Sequence, residues 1–168
     1  MDNVRNFAGV AEEWCSFVDS FQKERPENLY KRLEELLASL HSSILKMEIE
    51  YIEEELFFPE VNCQEVGKHI GKAIQSEVDE LIQWHAEIQK DVPKPNEEDA
   101  NRVFMLWDDL SDIYHDLLRG LIMWRRGTSE SHAQATWHWR HGYQIHWGEH
   151  LFRAMMTVHE ARYLLMKN

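Results

Sequence analysis

The chain has 168 residues, the length of one domain that could bury roughly 70% of the surface its unfolded form exposes. A formal charge of −12 and a pI near 5.2 argue against nucleic acid as a partner, because phosphate binding by counterion release needs clustered Lys and Arg. Seven Gly and four Pro, set against plentiful Leu, Glu, Ala, Met and Trp, favour helices over a sheet that would need many turns.

The charge is unevenly spread. Residues 1–100 hold 23 acids and 10 bases, whereas residues 101–168 hold 7 acids, 8 bases and seven of the ten histidines. Cys15 and Cys63 are too few and too far apart in sequence to read as a disulfide framework or a zinc ligand set, so a reducing cytoplasm is the expected location. Glu12 and Glu13 come before any signal-peptide core could form, and no apolar run approaches the ~18 residues that a membrane span requires. No membrane partner is expected.

Between Arg5 and Lys23, Phe7, Val10, Ala11, Trp14, Phe17, Val18 and Phe21 recur every three or four residues, the signature of one helix face. Pro26 suits the first turn of a second helix, along which Leu29, Leu33, Leu36, Leu37, Leu40, Ile44 and Leu45 continue the period. The stretch from Met47 to Phe58, stopped by Pro59, fits either an extension of that helix or an irregular connection. A third helical pattern over residues 61–90 uses Val66, Ile70, Ile74, Val78, Leu81, Ile82 and Ile88, with an interruption near Gly71 left open. After Pro93 and Pro95, Asn96 supplies an N-cap and Glu97, Glu98 and Asp99 suit the positive end of a helix dipole. The helix that follows carries Val103, Trp107, Leu110, Tyr114, Leu117, Leu121 and Trp124, and ends near Gly127. Thr128 or Ser129 caps a final helix expected to run almost to the C-terminus. The expectation is a single all-α domain over residues 1–168, a bundle of five or six helices whose last two form a long antiparallel hairpin.

The most informative segment is Trp137–His150, which packs three Trp, four His and a Tyr into fourteen residues. Side chains both bulky and hydrogen-bonding need matched partners, in the fold or in a ligand. On one continuous final helix, Ala133, Trp137, Arg140, Tyr143, Gln144, Trp147, Leu151, Ala154, Val158 and Leu165 share an inward sector. A buried Arg140 demands a carboxylate. Folding the hairpin about Gly127 places Asp112 and Asp116 nearest, so a structural ion pair from Arg140 to one of them is expected. Asp109 falls opposite the neighbourhood of His146.

His146 and His150 lie one helical turn apart, with Trp139 and Tyr143 on the same flank. These four are the candidate ligand-binding residues. Two His at that spacing could also ligate a divalent metal if another helix supplies a further ligand, and Asp109 is the candidate. The preferred reading is that the histidines only hydrogen-bond acids or backbone groups at a helix interface, so no cofactor is expected and a divalent metal is the alternative. His146-Trp147-Gly148-Glu149-His150 matches the H-x-x-E-H pattern of inverted zinc proteases, but only Glu160 remains downstream as an acidic ligand. The paired E-x-x-H motifs of a ferritin-like di-iron site are absent. Cys15, on an aromatic helix face, reads as a buried structural thiol.

The run Asp108-Asp109-Leu110-Ser111-Asp112-Ile113-Tyr114-His115-Asp116-Leu117, then Gly120-Leu121, Trp137-His138-Trp139-Arg140 and His146-Trp147-Gly148-Glu149-His150, resembles a bacterial family classified as a domain of unknown function, number 5063. Phe7, Ala11, Trp14 and Cys15 fit its opening helix, and the specific part of the likeness is the final 60 residues. The resemblance implies an all-helical bacterial protein without assigning a reaction. It carries over Asp109, Asp112, Asp116, Arg140, His146, Trp147 and His150 as motif positions. The leading functional expectation is a non-enzymatic module that binds a protein or small molecule beside the last two helices. The alternatives are a metal-dependent enzyme and a purely structural motif.

Overall fold

The computed structural model describes residues 2–20, 29–48, 59–88 and 97–165. Among these, all regular structure is helical: α1 (Asp2–Ser20), α2 (Leu29–Ile44), α3 (Gln64–Ile88), α4 (Glu97–Trp124), α5 (Ser129–Ile145) and α6 (Trp147–Leu165). The expected all-α bundle is therefore present. No described helix is long and apolar enough to cross a membrane. The expectations for Phe21, Pro26, most of 47–58 and the Asn96 cap lie outside the described residues.

Helix α4 is the central element, packing against α1, α3, α5 and α6. Its inward face buries Leu106, Leu110, Ile113, Tyr114, Leu117 and Leu121, close to the seam expected from sequence. The α1 stripe of Phe7, Ala11, Trp14 and Val18 is buried as its period requires, as is the Leu33, Leu36, Leu37, Leu40 and Ile44 stripe of α2. Leu45 is exposed, because α2 has ended in a turn one residue earlier. Helix α3 passes Gly71 without interruption. Cys15 is buried, and burial pushes its thiol pKa up, which keeps it protonated and unreactive. Tyr114 reaches from α4 to α1, its hydroxyl donating to Asp19 Oδ1 at 2.8 Å.

The α4–α5 turn is built from local chemistry. Gly127 takes a φ of 75°, a left-handed conformation that a side chain resists. Thr128 and Ser131 then form a reciprocal capping box, with Ser131 N donating to Thr128 Oγ1 and Thr128 N donating to Ser131 Oγ, both at 3.1 Å. Along the pair, His138 Nε2 lies 3.1 Å from the Asp116 carbonyl and Trp139 Nε1 donates to the Leu117 carbonyl at 3.2 Å. Both contacts match the register expected from folding about Gly127.

The long final helix is corrected by the structure. It stops at Ile145, His146 leaves helical geometry at φ −146° and ψ −87°, and α6 begins at Trp147. The apolar pattern gives the physical reason. Ala135 and Trp139 are buried on α5, and Trp147, Leu151, Ala154 and Val158 are buried on α6. On an uninterrupted wheel of about 100° per residue these two buried sets would face directions roughly 110° apart, about one residue's rotation. A one-residue break restores the phase and keeps both indoles inside. Gly148 makes the break possible, because a Cβ there would lie 2.1 Å from the Tyr143 carbonyl oxygen. Phe7 of α1 packs edge-on against Trp139 and tilted against Trp147, with ring centroids 5.2 and 6.2 Å apart.

Gly120 forms the seat of Trp139: a Cβ there would lie 2.0 Å from the buried indole nitrogen. The indole is fully enclosed and has nowhere to move. Gly120→Ala is therefore expected to lower stability by about 1–3 kcal/mol through overpacking, despite better helix propensity. Gly9→Ala, at an exposed helical position with nothing within 4 Å, should raise stability by about 0.5–1 kcal/mol. Urea denaturation of both variants checks the pair, and equal shifts would refute the steric account.

Candidate functional site

The break at His146 turns the start of α6 toward one flank of α4, where Asp109, Asp112 and Asp116 repeat at spacings of three and four. Asp109 and Asp116 are each only 6% exposed. A carboxylate so placed needs partners, since an isolated buried charge is strongly unfavourable. Asp116 Oδ2 lies 2.7 Å from His146 Nδ1, and Asp109 Oδ1 lies 2.8 Å from His150 Nδ1. Arg153 also reaches Asp109, donating from Nε at 3.0 Å and Nη2 at 2.8 Å. Asp112 is the more open acid, and its Oδ2 lies 3.3 Å from His150 Nε2.

Asp112, His146 and His150 each offer one ligand atom, all within 4.8 Å of one another. A tetrahedral ion with bonds of about 2.0–2.1 Å spaces its ligands by roughly 3.3 Å, so small side-chain rotations separate this arrangement from a coordination set. The 3.3 Å between His150 Nε2 and Asp112 Oδ2 already has that spacing. The imidazole rings stand edge to face at 4.9 Å. His150 is mostly enclosed, whereas the His146 side chain is 48% exposed, so this corner of the site opens to solvent.

The sequence-derived candidates divide accordingly. His146 and His150 come together with a carboxylate, but the third member of the cluster is Asp112, while Asp109 stands behind His150. The expected register assumed an unbroken helix; the break sends His146 to Asp116 instead of the neighbourhood of Asp109. Trp139 is fully buried in the core and does not line the open flank. Tyr143 is half-buried and turned toward α2, its hydroxyl 2.8 Å from His41 Nδ1.

The expected ion pair from Arg140 to Asp112 or Asp116 is absent among the described residues. Arg140 instead lies over the Tyr143 ring at 5.7 Å, and its Nε is buried without a hydrogen-bond partner among the described residues. Asp116 is engaged by His146 and lies beside His138. Gln144, also placed inward from sequence, is exposed. Glu149 of the H-x-x-E-H pattern is 77% exposed and pairs with Arg153 at 2.6 Å. Arg153 was not anticipated. Its signal was its position three residues after His150, a spacing that places both on one face of α6.

The protein is an all-helical bundle with a His/Asp cluster between its central helix and a broken C-terminal helix pair. The chain belongs to the family described as Domain of unknown function (DUF5063), which matches residues 1–164. It is similar in fold to the crystal structure of protein BF1032 from Bacteroides fragilis, with a TM-score of 0.72 and 17% identity over 96% of this chain and 92% of that one. Comparison with curated proteins gave no match.

His138 sits behind the cluster, 8% exposed, and burial holds its pKa below the ordinary value near 6.5 despite the opposing pull of Asp116. An unfolded chain then binds a proton at His138 more readily than the folded one, so this residue's contribution to stability falls as pH drops below about 6.5. His138→Gln keeps a donor for the Asp116 carbonyl but removes the titration. It should flatten the decline by at most about 1.4 kcal/mol per pH unit. Denaturation midpoints between pH 7.5 and 5 check this, and a slope identical to that of the wild type would refute it.

Proposed function

We propose that this protein binds a divalent transition metal through Asp112, His146 and His150. One observation carries the reading: both imidazoles have Nδ1 against a buried carboxylate, Asp116 for His146 and Asp109 for His150, and their rings meet beside Asp112. Protein metal sites commonly use this arrangement, because a carboxylate accepting from one ring nitrogen orients the ring and makes the other nitrogen a better ligand. Two imidazoles and one carboxylate suit a borderline metal such as Zn²⁺, Fe²⁺ or Co²⁺ more than Ca²⁺ or Mg²⁺, which prefer all-oxygen sets. Three protein ligands beside an open corner leave coordination positions for water or a small ligand. Such an ion would supply Lewis acidity there. The small-molecule binding expected from sequence thus moves from the aromatic flank to the metal's free positions.

The structural alternative, in which the His–Asp pairs only tie α6 to α4, is separated by Asp112. Asp112 is partly exposed, and its ion-pair partner among the described residues is the imidazole of His150. Asp112→Asn is expected to leave stability within about 0.5 kcal/mol of wild type while weakening Co²⁺ and Zn²⁺ binding. Asp116→Asn and Asp109→Asn, behind the ligands, should weaken binding by about 10–100-fold. The checks are elemental analysis of full-length protein purified without a metal-affinity tag, and competition titration with Co²⁺. Absence of stoichiometric metal together with no binding on titration would overturn the proposal.

A further inference from the structure

His150 is in a different hydrogen-bonding position from His146. Around His146 the requirement is simple: the Asp116 carboxylate accepts, so Nδ1 carries the hydrogen, and in the neutral ring Nε2 is the nitrogen with the lone pair. Around His150 two demands conflict. Nδ1 lies 2.8 Å from Asp109 Oδ1, an acceptor, and 2.8 Å from Arg153 Nη2, which is only a donor. With hydrogen on Nδ1, the ring donates to Asp109 but sets N–H against N–H at Arg153. With hydrogen on Nε2, Nδ1 accepts from Arg153 and Nε2 donates to Asp112 Oδ2 at 3.3 Å, while the Nδ1 lone pair faces Asp109 Oδ1 at 2.8 Å, a repulsion that the guanidinium bonded to both must offset.

Arg153 is held where it favours the second form. It donates twice to Asp109 Oδ1 and once, from Nη1 at 2.6 Å, to Glu149. These bonds supply Asp109 with a cation and leave it without need of the imidazole hydrogen. In this form the lone pair of Nε2 is replaced by a hydrogen pointed at Asp112, and the ring offers no nitrogen to an ion in the cluster.

We infer that Arg153 is a latch on the metal site, holding His150 in the tautomer that cannot coordinate, so that metal entry requires the guanidinium to leave His150 Nδ1. The inference rests on the proposed Asp112–His146–His150 site and adds its regulation. On binding, the ring hydrogen passes from Nε2 to Nδ1 by exchange with solvent, His150 then donates to Asp109, and Arg153 retains Glu149. No net charge is gained or lost on the ring. The 45% exposure of the Arg153 side chain gives it room to move outward. Any partner that draws Arg153 away, such as an anionic group at this surface, would raise metal affinity.

Two measurements test the latch. In metal-free, full-length protein labelled with ¹⁵N-histidine, long-range ¹⁵N–¹H correlations assigned with His150→Gln should show His150 protonated on Nε2. Arg153→Met, which removes donor and charge but keeps an aliphatic stem, should move the hydrogen to Nδ1. A wild-type ring protonated on Nδ1, whether neutral or cationic, overturns the inference. In Co²⁺ competition titrations, Arg153→Met should bind about tenfold more tightly than wild type, the gain expected when a coordinating tautomer held to about a tenth of the population is released. Equal or weaker binding by the variant overturns the latch and leaves the metal site standing. Binding by the variant alone supports a complete lock, and binding by neither sinks both readings.

Discussion

The backbone of Gly148 against the carbonyl of Tyr143 is the contact on which the rest of the C-terminal half depends. It permits a one-residue break at His146, and the break settles two matters together. Trp147 returns to the core, where its indole donates to the Trp139 carbonyl at 3.0 Å and its ring packs edge-on to Tyr143 at 5.0 Å. His146 and His150 are delivered to the flank of α4 that carries the aspartates. A straight helix would leave the buried faces of α5 and α6 roughly 110° apart. Packing and site are thus two results of one backbone feature, and a side chain at residue 148 would disturb both.

The cluster is also a solution to an electrostatic problem. Asp109 and Asp116 are buried on a flank of α4, where leaving either charge unpaired costs several kcal/mol. Imidazoles solve this differently from Arg or Lys, because a neutral ring can satisfy one carboxylate and keep a lone pair facing outward. Asp116 is served that way by His146. Asp109 has both an imidazole nitrogen and a guanidinium within hydrogen-bond distance. The two halves of the site therefore differ in their neighbours, although their sequence spacing makes them look equivalent. Exposed pairs elsewhere, such as Arg125 with Glu12 and Lys68 with Glu65, link or decorate helices and contribute little by comparison.

Much of the architecture was legible in sequence where one period ran without a fault. The α1, α2 and α4 stripes match their buried residues, and the Gly127 turn with its Thr128 cap fixes the α4–α5 register through His138 and Trp139. One continuous wheel set by the apolar stripe of α6 fails for α5, because the phase slips at His146. That error placed Arg140 and Gln144 inward, kept Trp139 on the ligand flank and chose Asp109 over Asp112. The offset of roughly 110° between the Ala135 and Trp139 face and the Trp147, Leu151, Ala154 and Val158 face, with Gly142 and Gly148 between or beside them, was the available sign. Arg153 was hidden for another reason: its meaning depends on which atom of His150 it approaches, and spacing does not encode that.

The Phe7 wedge links opposite ends of the chain in time as well as in space. Its ring lies against Trp139 and Trp147, which are made some 130 to 140 residues later. At synthesis rates of about 5–20 residues per second, the apolar face of α1 waits on the order of 7–28 s for those partners. During that interval α2 is the neighbour already made, and the Arg32–Glu13 ion pair joins the two helices at their surface. The N-terminal pair must therefore remain soluble as an unfinished half-core, and the strongly acidic character of the first hundred residues provides the mutual repulsion that keeps nascent chains apart.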